Sequence, residues 1–75
     1  RAVEAAEAKE RVRRAIGELP ELFRAVLLLC DLEGFSYLEA AEALGVKVGT
    51  IRSRLFRARE RFEEKLGPAV VEGEI

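Results

Sequence analysis

The chain has no histidine, a single cysteine, Cys30, and few aromatic residues, four Phe and one Tyr in 75 residues. With one thiol and no imidazole, neither an internal disulfide nor a Cys/His zinc site can be built, and a reducing compartment suits it best. Long apolar runs are missing as well. The longest, Ala25 to Cys30, falls far short of the roughly 20 residues that cross a bilayer. No secretory leader is recognisable, and a chain that starts at Arg1 instead of Met reads as part of a longer protein.

An excess of charge of either sign is also lacking, since the formal net charge is −1. Read alone, that balance argues against a nucleic-acid partner, because such domains are usually basic. The distribution reverses the argument. Residues 1–14 carry five basic and three acidic groups and residues 18–42 one basic and six acidic; residues 47–65 carry seven basic and three acidic, and the last ten residues two acidic. A field polarised in this way steers a polyanion onto one segment while the rest of the molecule repels it.

At this length one domain with a small core is expected, so every element must contribute to burial. Helical periodicity predicts an all-α, four-helix domain with helices at about 2–16, 20–32, 36–44 and 49–66, the last two forming a helix-turn-helix. The domain is placed at 1–66, and 67–75, with Pro68, Gly73 and no period, reads as a frayed tail.

In the first helix Ala5, Ala8, Val12, Ala15, Ile16 and Leu19 share a stripe of small residues, Arg1 is expected to fray, and Gly17 offers a left-handed stop. Pro20 suits the first position of the second helix. That helix is apolar nearly all round, with only Arg24 and Asp31 at a polar edge, so it reads as the central, most buried element, and Cys30 as a buried small hydrophobe. Ser36-Tyr37-Leu38-Glu39 is a capping box that opens the third helix, with Tyr37, Ala40, Ala41 and Leu44 inward, Leu38 at the border, and Gly45 closing it.

The fourth helix carries the chemistry. Ile51, Leu55, Ala58, Phe62 and Leu66 form a core stripe, while Arg52, Ser53, Phe56 and Arg57 fall on the opposite face, with Thr50, Arg54 and Arg61 along one rim. Because the second helix of a helix-turn-helix enters the major groove by its N-terminal residues, Arg52, Ser53, Phe56 and Arg57 are the base-reading candidates. Lys47, Gly49, Thr50, Arg54 and Arg61 are read as phosphate contacts. The bland alternatives are a solvated face with Arg57–Glu60, Arg61–Glu64 and Arg59–Glu63 pairs, and Phe56 packed into the core. No nucleophile, base or metal set accompanies the acidic residues, so neither an enzyme nor a cofactor or small-molecule site is expected.

Leu19-Pro20-Glu21, the run Val26 to Leu29, Asp31-Leu32-Glu33-Gly34-Phe35-Ser36-Tyr37, Gly45-Val46 and the string Val48 to Arg59 together resemble region four of bacterial sigma factors of the extracytoplasmic-function group. The resemblance runs from Ile16 to Leu66. It implies a cytoplasmic bacterial domain that binds double-stranded DNA at the −35 promoter element, docks on the β flap of RNA polymerase, and is open to an anti-sigma factor. It also implies that Arg52, Ser53, Phe56 and Arg57 read bases while Thr50 and Arg54 flank them. Three departures stand out: Cys30 where many relatives carry an arginine that holds DNA, Lys47 where a Ser or Pro is common, and Leu38 and Ala40 in place of an acid and a large aliphatic. The competing readings are a protein-interaction module held by a regulator or by polymerase, and a helix-turn-helix regulator outside the sigma group.

Overall fold

Apolar side chains at helical spacing organise the chain into helices whose buried faces meet along the last of them. A computed structural model describes residues 2–67, with side chains for residues 4–67. The order is α1 (Ala2–Gly17), α2 (Glu21–Leu27), a π-helical segment (Leu28–Leu32), α3 (Tyr37–Leu44) and α4 (Val48–Leu66), with no strand among the described residues. The all-α expectation and the helix-turn-helix outline are met. The expected fraying at Arg1 and the tail beyond Gly67 lie outside the described residues.

The buried cluster comprises Leu19, Val26, Leu27, Ala40, Ala41, Ile51, Leu55 and Ala58. Ile51, Leu55 and Val26 are the largest fully buried side chains, so the core is centred on α4, which packs against α1, α2 and α3. This corrects the expectation that the second helix is the most buried element. Leu22 and Leu32 are 57% and 62% exposed, and of α2 only Val26 and Leu27 are buried. A helix apolar on every side needs neighbours on every side, and a domain this small does not supply them.

The expected continuous helix over 20–32 is also corrected. After Leu27 the backbone widens: the Glu33 N–H bonds the Leu28 carbonyl at 3.0 Å, five residues back, and the Phe35 N–H reaches the Leu29 carbonyl at 2.9 Å across Gly34, whose φ is 76°. Leu29 and Cys30 pack against the core from this wide turn, and Leu28 and Leu32 face a groove shared with Lys9, Val12, Arg13 and Ile16 of α1. Cys30 is therefore half-buried, not buried.

Three boundaries differ in detail. Gly17 closes α1 from inside its last turn without a left-handed φ, and the Arg24 guanidinium donates to the Gly17 and Leu19 carbonyls at 3.3 and 3.2 Å, which satisfies acceptors left over at the helix end. Pro20 is the N-cap of α2, with φ −54° and ψ 149°, and not its first helical residue. Along α1 the small-residue stripe is covered only towards its end: Ala15 and Leu19 are buried, whereas Ala5 and Ala8 are exposed.

Candidate nucleic-acid interface

The two helices that build the interface are joined by a turn that local chemistry fixes. The Ser36 hydroxyl accepts the Glu39 N–H at 3.0 Å, and the Glu39 carboxylate accepts the Ser36 N–H at 2.8 Å, so the predicted capping box is formed. At the other end of α3, Gly45 adopts the left-handed conformation (φ 70°, ψ 34°), and the Val46 N–H returns to the Ala41 carbonyl at 3.0 Å. Lys47 then caps α4 with backbone only: its carbonyl accepts from Thr50 and Ile51 at 3.0 and 3.2 Å, and its side chain makes no cap.

From that start α4 runs 19 residues with Ile51, Leu55 and Ala58 buried and Phe62 half-buried against the core. The opposite face is open. Arg52, Ser53 and Arg57 are exposed, and Phe56 is 66% exposed, so it is not core packing. Lys47 and Gly49 are exposed at the helix start and Thr50 and Arg54 are half-buried beside them. Seven of these residues lie on α4 outside its buried stripe of Ile51, Leu55 and Ala58, and Lys47 is its N-cap. Arg61 lies further along the helix with its guanidinium carbon 5.7 Å from the centroid of the Phe23 ring of α2, apart from that group.

Charge pairing divides the cations of α4 into two sets. Arg59 is consumed by Asp31 of the π-helical segment, its Nε and Nη2 donating to the two carboxylate oxygens at 2.9 and 2.6 Å, and Lys65 lies 3.6 Å from Glu18. The Arg59 charge is held more firmly than usual, first by that hydrogen bond and to a lesser degree by the Tyr37 hydroxyl. Among the described residues, Lys47, Arg52, Arg54 and Arg57 have no carboxylate partner, and the pairs Arg57–Glu60, Arg61–Glu64 and Arg59–Glu63 do not form. A merely salt-bridged surface would have paired them.

Two side chains carry information that spacing did not reveal. The exposed Ser53 hydroxyl lies 3.3 Å from the Thr50 carbonyl, to which it donates within the helix. Tyr37, expected inward, is half-buried and sits with its ring centroid 5.7 Å from the Arg52 guanidinium carbon. The Asp31–Arg59 pair joins residues 28 apart in sequence, and no local periodicity signals it. Cys30 lies near both; burial and the Asp31 charge push its thiol up, against the pull of Arg59, so it is a poor thiolate. No group of residues suited to a metal ion occurs among the described residues, and no helix there is long and apolar enough to cross a membrane.

A capped short helix, a glycine turn and a longer helix with an unpaired cationic face define a helix-turn-helix domain. Residues 9–62 match the family described as Sigma-70, region 4. Over 55 residues the chain is 47% identical to the ECF RNA polymerase sigma factor SigE of Mycolicibacterium smegmatis, covering 73% of this chain and 21% of that protein. It is 44% identical over 64 residues to the ECF RNA polymerase sigma-E factors of Salmonella typhimurium and Escherichia coli, covering 85% of this chain and 34% of each. The chain belongs to the sigma-70 region 4 family, in its extracytoplasmic-function branch. It spans about a third or less of the length of these relatives.

Proposed function

We propose that this domain recognises the −35 promoter element in double-stranded DNA as part of a sigma factor that directs RNA polymerase to initiate transcription. The observation that carries the reading is the row of unpaired cations around an exposed Phe56 on α4, presented by a glycine turn after a capped α3. Arg52 and Arg57 donate to base edges, guanine O6 and N7 being the best-matched acceptors, and Phe56 packs on a thymine methyl. Ser53 can donate to or accept from a base edge. Lys47, Arg54, the Gly49 N–H and the Thr50 hydroxyl hold phosphates, and Arg61 adds a more distant phosphate contact.

A second surface of the domain serves the polymerase. The groove of Val12, Ile16, Leu28 and Leu32, rimmed by Lys9 and Arg13, is an apolar cleft that suits an apolar helix of the β flap, and an anti-sigma factor competes for the same surfaces.

Fluorescence anisotropy of this chain with promoter-like and scrambled duplexes, at low and raised salt, tests the DNA reading. Arg52→Ala costs roughly 1 to 3 kcal/mol on the preferred duplex and relaxes one base position, whereas Arg54→Ala weakens every duplex alike and reduces the salt slope by about one. Absence of any salt-sensitive binding sinks the reading in favour of a protein-interaction module.

A further inference from the structure

The Arg52–Tyr37 contact links a residue of the first helix of the motif to a base-reading candidate of the second. Tyr37 is the first residue of α3, directly after the Ser36 cap, so its backbone is fixed by the capping box, and its ring packs partly against the core. Arg52 and Arg59 stand seven residues apart, about two turns along one side of α4. Arg59 is locked onto Asp31, and the ring of Tyr37 meets Arg52. A ring packed partly against the core beside an exposed guanidinium is a device for orienting it. The aromatic contact supplies no acceptor atom, so the five N–H donors of Arg52 stay available while the rotamer freedom of the side chain is reduced.

We propose that Tyr37 is a positioning residue for sequence readout: its ring pre-orients Arg52 at the surface of α4 with the N–H edge free for a base. The inference rests on the base-reading role of Arg52 given above. Tyr37 itself touches no base in this arrangement. Its contribution is to spare Arg52 part of the ordering cost on binding, which improves the preferred sequence and leaves non-specific binding alone.

The test uses this 75-residue chain and a duplex selected by it from a randomised library, compared with a scrambled duplex of the same composition. Tyr37→Leu lowers the ratio of selected to scrambled affinity about two- to fivefold without changing scrambled-duplex affinity, and Tyr37→Phe, which keeps the ring, retains the ratio. In an Arg52→Ala background Tyr37→Leu has no further effect on the ratio. In the free protein the Arg52 δ-protons show an upfield ring-current shift by NMR that Tyr37→Phe keeps and Tyr37→Leu abolishes. An equal loss with or without Arg52, a loss shared by both duplexes, or unshifted δ-protons in the wild type overturns the proposal while leaving Arg52 as a base reader. If Arg52→Ala itself leaves the ratio unchanged, the base-reading role falls and this proposal with it. The ring-current shift requires no variant, so it decides the matter even where Tyr37→Leu does not fold.

Discussion

Arg59 of α4 holds Asp31 of the π-helical segment through two hydrogen bonds of 2.9 and 2.6 Å, one to each carboxylate oxygen. The pair ties the widened end of the second helical stretch to the half of α4 that lies beyond the proposed DNA-facing residues. Side-chain exposures of 49% for Arg59 and 33% for Asp31 mean that solvent screens part of its strength.

Asp31→Asn therefore lowers stability by about 0.5 to 1.5 kcal/mol, read from urea unfolding by circular dichroism. A change below the error of that measurement would mean that the two-point geometry contributes nothing. The same variant speeds alkylation of Cys30, because a group that pushes the thiol up is gone while Arg59, which pulls it down, remains.

Cys30 also gives a signed pH dependence. Its folded-state value is raised, chiefly by burial, so the folded chain keeps the thiol proton longer than the unfolded chain does. The resulting stabilisation is complete below the ordinary thiol value of about 8.5 and is lost as pH rises through the folded value. Urea midpoints of the wild type compared with Cys30→Ala over that window check the sign: the difference between them shrinks as the solution becomes more alkaline.

Gly49 stands in the first turn of α4 with open space where a Cβ would go, and its φ is not left-handed. Gly49→Ala raises stability by roughly 0.5 to 1 kcal/mol. It also weakens binding to every duplex, since a methyl group then stands between the helix start and the phosphate. A variant that is more stable and binds DNA as well as the wild type would remove Gly49 from the interface.

Ser36→Ala removes the acceptor of the Glu39 N–H and costs about 1 kcal/mol. Leu55→Ala, at a side chain only 1% exposed, costs about 2 to 5 kcal/mol, enough to unfold much of a domain this small. Thermal melts of the two variants separate a local cap from the shared core: the first shifts the midpoint by a few degrees, and the second abolishes the cooperative transition.

Much of the interface was legible in the sequence because its determinants are local. The Ser36–Glu39 box, the turn at Gly45 and the division of α4 between Leu55 and Phe56 follow from spacing alone, and each is formed. What escaped depends on partners distant in sequence. Nothing near Arg59 reveals that Asp31 will hold it in place of Glu63, and the wheel that turned Tyr37 inward could not show that its ring would meet Arg52. The second helix departs from expectation for a related reason: apolar content does not say which sides find neighbours, and Leu22 and Leu32 stay exposed. The π turn at Leu28 has no signature in residue type.

The missing cap on Lys47 has a thermodynamic consequence. The start of α4 carries the positive end of the helix dipole and the Lys47 ammonium, with no acidic residue in the first turn to offset them. Arg52, Arg54 and Arg57 add like charges within the next few residues. In isolation this end of the domain repels itself, and the core stripe behind it bears the cost. Added salt thus raises the melting temperature of the free protein while it weakens DNA binding. A polyanion that settles on this end relieves the repulsion, so on the proposed reading duplex DNA acts as a folding ligand for α4.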